Sequence, residues 1–141
     1  MKTSKGFTII ELLVVIAIIA VLAAVVLVNV TQYIAKGKDA SIKGNMANMV
    51  TIAAAWYDSH SSVYTGVDAD ATFAAGLTAI GGANGTGKAQ SVQISTGAPV
   101  GGAFCIEAEL NDGTNWCVDS TGYKGATADC EAATADCAAD A

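Results

Sequence analysis

The sequence contains no arginine and has one histidine, one proline and few aromatic residues, which make up 6% of its 141 positions. Its charge is one-sided, since seven lysines face 13 acidic residues and give a formal net charge of -6. From Ser59 onward, ten acidic residues are balanced by Lys88 and Lys124 alone. A surface of that sign repels phosphate groups, so we expect no direct nucleic-acid binding. The low aromatic content gives no basis for assigning electron transfer.

The single histidine, His60, also limits the chemistry that the chain can support. The sequence places no nucleophile, partner carboxylate or oxyanion loop with it, which predicts that the chain is not an enzyme. The four cysteines are separated by 12, 13 and 7 positions and include no close pair, so a zinc site is disfavoured. We expect neither a metal site nor a cofactor. The cysteines are Cys105, Cys117, Cys130 and Cys137.

A long apolar run near the amino terminus is the strongest feature that the sequence does contain. Residues 12–28 include no charged or polar side chain. A helix over residues 7–28 would extend roughly 33 Å, which is enough to cross a hydrocarbon layer of about 30 Å. Its many β-branched residues would suit a buried strand, but strands are rarely so long and no glycine or proline interrupts it. The run therefore predicts a membrane-spanning helix with one carboxylate, Glu11, near its start.

The order of charged and apolar residues before this helix differs from that of an ordinary secretory signal. Lys2 and Lys5 precede Gly6, and the apolar run follows the glycine, so cleavage there would leave the hydrophobic segment on the mature chain. Residues 5–15 read Lys-Gly-Phe-Thr-Ile-Ile-Glu-Leu-Leu-Val-Val. This segment resembles the class III signal of type IV prepilins and pseudopilins.

The resemblance implies a role for three residues. A membrane-embedded prepilin peptidase would cut between Gly6 and Phe7, and the new amine of Phe7 would be N-methylated. Glu11, the fifth residue of the mature chain, would neutralise the amino-terminal charge of a neighbouring subunit during assembly. Physical chemistry agrees, because an unpaired buried carboxylate is costly and one beside an ammonium group is held strongly at low dielectric. The alternative is an ordinary membrane anchor whose Glu11 lies among the lipid headgroups.

A second helical pattern follows the apolar run. Apolar residues recur at spacings of three and four, which predicts an amphipathic helix over residues 31–59 that continues the hydrophobic helix of residues 7–30. Gly37 and Gly44 each weaken a helix by roughly 1 kcal/mol relative to alanine and are the expected bends. The predicted inward residues are Ile42, Met46, Met49, Val50, Ala53, Trp56 and Tyr57.

The remainder predicts a small β-rich head. We interpret residues 60–103 as a connecting region with a short helix at 69–80 and a strand at 89–95, and residues 104–141 as a β-hairpin followed by a disulfide-bounded region. Pairing Ile106 with Trp116 puts the apolar residues of the hairpin on one face and Cys105 opposite Cys117.

This hairpin register predicts a bridge between Cys105 and Cys117, and a second bridge between Cys130 and Cys137 would close a small terminal loop. Four cysteines allow three connectivities. Pairing of the hairpin cysteines with those of the carboxy-terminal tail, Cys130 and Cys137, also stays open. The two tail cysteines each end a copy of the pentapeptide Ala-Thr-Ala-Asp-Cys, at residues 126–130 and 133–137. The family commonly has a disulfide-bounded loop near its carboxy terminus, which implies a bridge here without identifying it.

Together these patterns predict an α+β pilin fold, with a long N-terminal helix packed on a small C-terminal antiparallel β-sheet. The resemblance implies a structural subunit, the major pilin, that is held in the bacterial inner membrane as a prepilin. Prepilin peptidase and the pilus assembly machinery would then bring it into a homo-oligomeric extracellular filament. The alternatives are a pseudopilin of a type II secretion or competence system and a monomeric membrane-anchored binding module.

The sequence departs from many pilins at two positions in the membrane half of the helix. Ala20 and Val28 stand where those pilins carry a helix-breaking glycine and proline, so melting of the helix on assembly is in doubt at these positions. Whether such a filament serves motility, adhesion or DNA uptake stays open at this point.

Overall fold

The computed structural model describes residues 6–85, 88, 90–95, 100–126, 130, 131 and 133–137, apart from the side chain of Val28. The predicted leader residues 1–5 and residues 127–129 of the first pentapeptide lie outside the described residues. The chain divides into two units, Met1–Ile34 and Ala35–Ala141, which we consider separately. One helix, α1 (Ile9–Ser59), begins in the first unit and ends in the second.

In the first unit, α1 exposes nearly all of its apolar side chains. Ile9 and Ile10 are 84% and 76% exposed, and Leu12 through Leu22 are also exposed. Among the described residues, α1 is the helix that is long and apolar enough to span a membrane. The sequence predicts this helix because its uninterrupted aliphatic residues satisfy their backbone hydrogen bonds within the segment, as a lipid environment requires.

In the second unit, α1 contributes one face to a shared core. Ile42, Met46, Met49 and Ala53 are buried, while Val50, Trp56 and Tyr57 pack partly buried against the same cluster. The predicted amphipathic stripe is therefore confirmed. The helix ends at Ser59, just before the polar run of residues 60–62.

A short connection and a second helix follow α1. A 3₁₀ helix at Val67–Ala69 leads into α2 (Ala71–Asn84), whose Phe73 and Ile80 are buried in the core. Asp70 caps α2, since its Oδ1 accepts the backbone N–H groups of Thr72 and Phe73 at 2.9 and 3.0 Å. The predicted helix at 69–80 is confirmed as an element, although it begins and ends later.

Four antiparallel strands complete the head in the order β1-β2-β3-β4. The strands are β1 (Gln90–Ile94), β2 (Phe104–Glu109), β3 (Asn115–Asp119) and β4 (Lys124–Ala126). Side chains alternate between the two faces of a sheet, and Phe104, Ile106, Ala108 and Val118 enter the core that α1 and α2 share. The predicted α+β fold is confirmed, and the predicted strand at 89–95 corresponds to β1. Strand β4 was not predicted from the sequence.

The register of the β2–β3 hairpin differs from the predicted one by two residues. Ile106 lies opposite Val118, not Trp116, and Cys105 lies opposite Asp119. The turn determines this, because the Leu110 N–H donates to the Thr114 carbonyl at 2.7 Å and leaves a three-residue loop. The third loop residue is Gly113, with φ of 85°, a conformation that such loops require. A slip of two residues leaves every side chain on its predicted face.

The predicted disulfide pairing is wrong. The bridges are Cys105–Cys130 and Cys117–Cys137, with Cα–Cα separations of 5.9 and 5.8 Å. Neither the predicted Cys105–Cys117 bridge nor the predicted Cys130–Cys137 bridge forms. The register correction explains the first error, since the strand neighbour of Cys105 is Asp119. The tail is instead joined to the hairpin, the connectivity that the sequence left open.

A buried carboxylate fixes the hairpin turn to α1. Asp39 is 7% exposed, and its Oδ1 accepts the backbone N–H and the side-chain amide of Asn111 at 2.7 and 2.8 Å. An acidic residue is usually found at the surface, but the structure places Asp39 inside the head.

We expect Gly44→Ala to stabilise the head by about 1 kcal/mol, because glycine is a poor residue in a helix interior. A Cβ at Gly44 would meet no atom within 4 Å. Thermal unfolding of the detergent-solubilised chain, followed by circular dichroism, measures the change. The matched control is Gly101→Ala, which should destabilise, because Gly101 has a φ of 74° and an added Cβ would overlap Thr65 Oγ1. A Gly44→Ala chain that unfolds at a lower temperature would contradict the expectation.

Candidate assembly site at the start of the first helix

The start of α1 is held by reciprocal hydrogen bonds between Thr8 and Glu11. The Glu11 N–H donates to Thr8 Oγ1 at 3.2 Å, while Glu11 Oε2 accepts the Thr8 N–H at 2.9 Å and the Thr8 hydroxyl at 2.7 Å. This is a capping box, in which two side chains satisfy backbone donors that the first helical turn leaves free. The role of Thr8 was not predicted from the sequence, although the spacing Thr-x-x-Glu before an apolar run is the usual signal of a capping box.

Within the described parts of the chain, Glu11 of the capping box lies in an apolar setting and forms no salt bridge. Between Gly6 and Ala35, Glu11 is the single charged side chain in the sequence. Its neighbours Ile10 and Leu12 are 76% and 58% exposed. Among the described residues, two hydrogen bonds reach its carboxylate, from the N–H and the hydroxyl of Thr8. Both end on Oε2, so Oε1 accepts neither of them. The carboxylate can therefore accept a further donor from outside the chain.

The predicted cleavage position lies beside this carboxylate in sequence and outside the helix. Gly6 and Phe7 precede α1, and Phe7 is 79% exposed. A Cβ at Gly6 would meet no atom within 4 Å, so the fold does not require glycine at this position. The structure brings Gly6, Phe7 and Glu11 to one end of α1. The four predicted disulfide cysteines belong to the head, where all four are paired.

The chain resembles known proteins over most of its length. Residues 1–27 match the family model described as the prokaryotic N-terminal methylation motif. Fimbrial protein Q of Moraxella bovis is 35% identical over 116 residues, which cover 82% of this chain and 74% of that protein. The chain belongs to the type IV pilin family. The pilin is also 29% identical over 129 residues to a fimbrial protein of Pseudomonas aeruginosa, covering 80% of the chain and 84% of that relative.

A shorter match concerns the type IV major alpha-pilin of Moraxella bovis. It is 47% identical to this pilin over 47 residues, which are 33% of the chain and 30% of that protein. No solved structure matches the pilin. The curated relatives are structural fimbrial proteins, so the pilin is a structural subunit of a pilus.

His60 directly follows the last residue of α1 in this pilin. Its ring stacks on Trp56 with the centroids 3.6 Å apart, and its Nδ1 lies 3.0 Å from the Trp56 carbonyl oxygen and 2.8 Å from Ser59 Oγ. Within the described parts of the chain, no group of three or more His, Cys, Asp or Glu side chains is placed to hold a metal ion. These contacts anchor the imidazole to the helix end.

Proposed function

We propose that this pilin is the major subunit of a type IV pilus and polymerises through the first half of α1 into an extracellular filament. The observation that carries the proposal is the exposed apolar surface of that segment, where a single carboxylate is satisfied in part by Thr8. An apolar surface of this extent is not stable in water. Lipid covers it in the membrane-held prepilin, and the same segments of other subunits cover it in the filament.

The leader is proposed to control when the carboxylate acquires its partner. Before cleavage, the Phe7 nitrogen is part of a peptide bond and carries no charge. Cleavage between Gly6 and Phe7 by prepilin peptidase creates an ammonium group there, and N-methylation keeps its positive charge. The proposed partner of Glu11 is this amine on a neighbouring subunit, which the pilus assembly machinery delivers.

Pairing of these two groups would set the axial position of each new subunit. Two opposite charges attract strongly where water is excluded. In a subunit that is displaced along the filament axis, the carboxylate and the ammonium would be buried without partners. The free-energy cost of these unpaired charges disfavours wrong positions. Apolar packing alone is poor at this task, because aliphatic side chains make similar contacts at many offsets.

Electron microscopy of material sheared from the cell surface tests the proposal, with mass spectrometry to identify the subunit. Long filaments composed mainly of this chain are the expected result. Processed chain that stays in the membrane, without filaments, would instead support a pseudopilin or a membrane-anchored binding module.

Replacement of Gly6 by leucine should leave the leader attached to the chain. A side chain at this position enlarges the residue on the amino-terminal side of the proposed cleavage bond, while its Cβ would meet no atom of the described residues within 4 Å. Amino-terminal sequencing and the intact mass should then show the full leader. Gly44→Ala is the matched control, since it lies far along the helix and should be processed normally. Cleavage of the Gly6→Leu chain before Phe7 at the normal rate would contradict the proposed site.

A further inference from the structure

The two central strands carry the same pattern, a cysteine followed two residues later by an acid, and these side chains lie on the same face of the sheet. β2 contains Cys105-Ile106-Glu107, and β3 contains Cys117-Val118-Asp119. Ile106 and Val118 enter the core, so the cysteine and the acid of each strand lie on the opposite face. That face is covered by the tail, whose Cys130, Ala135 and Cys137 form a second buried cluster with the strand cysteines.

Each tail cysteine makes two bonds to one strand. Cys130 is bridged to Cys105, and its backbone N–H donates to Glu107 Oε2 at 3.1 Å. Cys137 is bridged to Cys117, and its backbone N–H donates to Asp119 Oδ2 at 3.1 Å. In both cases the accepting carboxylate lies two residues after the disulfide partner. The same docking arrangement is therefore repeated on β2 and β3.

The second oxygen of each carboxylate is held by the sheet itself. Glu107 Oε1 accepts the side-chain amide of Asn115 at 2.6 Å. Asp119 Oδ1 accepts the Thr121 N–H and hydroxyl at 2.8 and 2.6 Å and the Tyr123 N–H at 3.1 Å. These donors belong to β3 and to the segment between β3 and β4. Both carboxylates are thus oriented by residues that precede the tail, with one oxygen left for it.

The tail sequence cannot by itself distinguish its two cysteines. Cys130 and Cys137 each end an identical pentapeptide, so their local contexts offer the same preferences. The finished bridges are also poorly accessible, since Cys105 and Cys117 are 0% exposed. A wrong bridge would be protected in the same way once the tail had docked. Selection of the correct partner therefore has to act before the sulfur atoms are buried.

We propose that Glu107 and Asp119 are positioning residues for disulfide formation. Each captures the backbone N–H of one tail cysteine and holds its thiol over the cysteine two residues earlier on the same strand. Cys130 is thereby directed to Cys105 and Cys137 to Cys117, in preference to the exchanged pairing and the two local bridges. This role concerns the folding of the head and does not depend on filament assembly.

The oxidant in this reaction is a small disulfide, and the carboxylates exchange no atoms. One protein thiolate attacks the small disulfide, forms a mixed disulfide and releases one thiolate. The second protein thiolate then attacks the mixed disulfide at the protein sulfur and releases the other. Two protein thiols are oxidised, the small disulfide is reduced to two thiols, and the two protons leave with them.

The test follows which bridges form when the reduced full-length chain is refolded in detergent with oxidised and reduced glutathione. Samples are quenched by alkylation at early times, digested and mapped by mass spectrometry. Glu107→Met removes the acceptor and keeps the length of the side chain. We expect the fraction of chains with non-native bridges to rise about tenfold, because a hydrogen bond to a charged group contributes a factor of that order. Glu109→Met, on the same face of β2, is the matched control: it removes a carboxylate that is paired with Lys88 at 2.9 Å, and it should leave the disulfide pairing unchanged.

A chain with Cys117→Ser and Cys137→Ser keeps the test decisive if Glu107→Met does not reach the native state. It retains Cys105 and Cys130 alone, and the measured quantity becomes the rate at which this bridge closes. Glu107→Met should slow closure about tenfold, whereas Glu109→Met should not. Equal bridge distributions, or equal closure rates, in the Glu107→Met and Glu109→Met chains would overturn the proposal and assign the selection to chain topology alone.

Discussion

Replacement of Glu11 by alanine should reduce the amount of sheared filament about tenfold or more, while a processed subunit remains in the membrane. The reason is that the Phe7 amine of the next subunit would then be buried without its partner, and removal of one member of a buried ion pair is strongly destabilising. The measurement combines quantitative immunoblotting of the sheared fraction with amino-terminal sequencing of the membrane fraction. A normal filament yield from the Glu11→Ala chain would exclude the proposed role.

Glu11→Gln separates the charge of this side chain from its hydrogen bonds. Glutamine keeps an oxygen that can accept the Thr8 N–H, so the capping box at the start of α1 is largely retained. It carries no charge to pair with an ammonium group. We expect Glu11→Gln to lose filaments as severely as Glu11→Ala. Normal filaments with glutamine would show that capping, and not charge pairing, is the contribution of Glu11.

Thr8→Val provides a matched comparison at the other side of the capping box. It removes the hydroxyl that donates to Glu11 Oε2 and preserves the shape of the side chain. The backbone N–H of Thr8 still donates to the same oxygen. Filament yield should therefore fall less than in either Glu11 variant.

Asp119→Asn should destabilise the head by about 3 kcal/mol at neutral pH. Asp119 is 2% exposed, and its carboxylate accepts four hydrogen bonds, from Thr121 N–H, Thr121 O–H, Tyr123 N–H and Cys137 N–H. An asparagine side chain has one acceptor oxygen and two N–H donors of its own. The buried N–H of Cys137 would then lose its charged acceptor, at about 1–3 kcal/mol, and fewer acceptor positions would remain for the donors of Thr121 and Tyr123. Urea unfolding of the detergent-solubilised, oxidised chain measures the loss.

The same carboxylate should make the stability of the head depend on pH. Burial raises the pKa of Asp119, but the hydrogen bonds from Thr121, Cys137 and Tyr123 outweigh it and hold the pKa below its usual value. A lowered pKa in the folded state contributes stability that is complete above the unfolded value, about 3.9, and is lost as the pH falls through the folded value. The difference between wild type and Asp119→Asn should therefore shrink below about pH 4.

Asp112→Asn is the matched control for both measurements. Asp112 makes the same local turn, since its Oδ1 accepts the Thr114 N–H at 2.9 Å and the Thr114 hydroxyl at 2.6 Å. It is exposed, and among the described residues the hydrogen bonds to its carboxylate come from Thr114. Its replacement should change stability much less than that of Asp119. Equal effects of the two substitutions would show that the local turn, and not the buried connection to the tail, is the source of the stability.

Some features of the pilin follow directly from periodicity and length. The apolar run of residues 12–28 predicts a membrane-spanning helix, because in lipid few other structures satisfy the backbone hydrogen bonds of so many consecutive aliphatic residues. The three- and four-residue spacing from Ile42 to Tyr57 predicts the face of α1 that enters the head core, and the structure confirms it. The alternation in the hairpin likewise predicts which side chains face that core.

The register and the disulfide pairing could not be obtained in the same way. Alternation has a period of two, so a slip of two residues leaves all faces unchanged and the pattern is equally well satisfied. The hydrogen bond between Leu110 and Thr114 decides between the two registers, and it depends on the conformation of Gly113. The identical tail pentapeptides hide which cysteine meets which strand. β4 was missed because its three residues, Lys-Gly-Ala, are too few to show alternation.

The sequence by itself determined that this chain has a long apolar helix with one carboxylate, an amphipathic continuation and a strand-rich head, because each depends on local composition and spacing. Only the tertiary structure decided the positions of Asp39, Glu107 and Asp119. The sequence pattern predicts that acidic residues lie at the surface, yet the carboxylate of each accepts a hydrogen bond from a backbone N–H of a distant segment. The donors come from residues 18 to 72 positions away, and such pairings are set by how the segments pack.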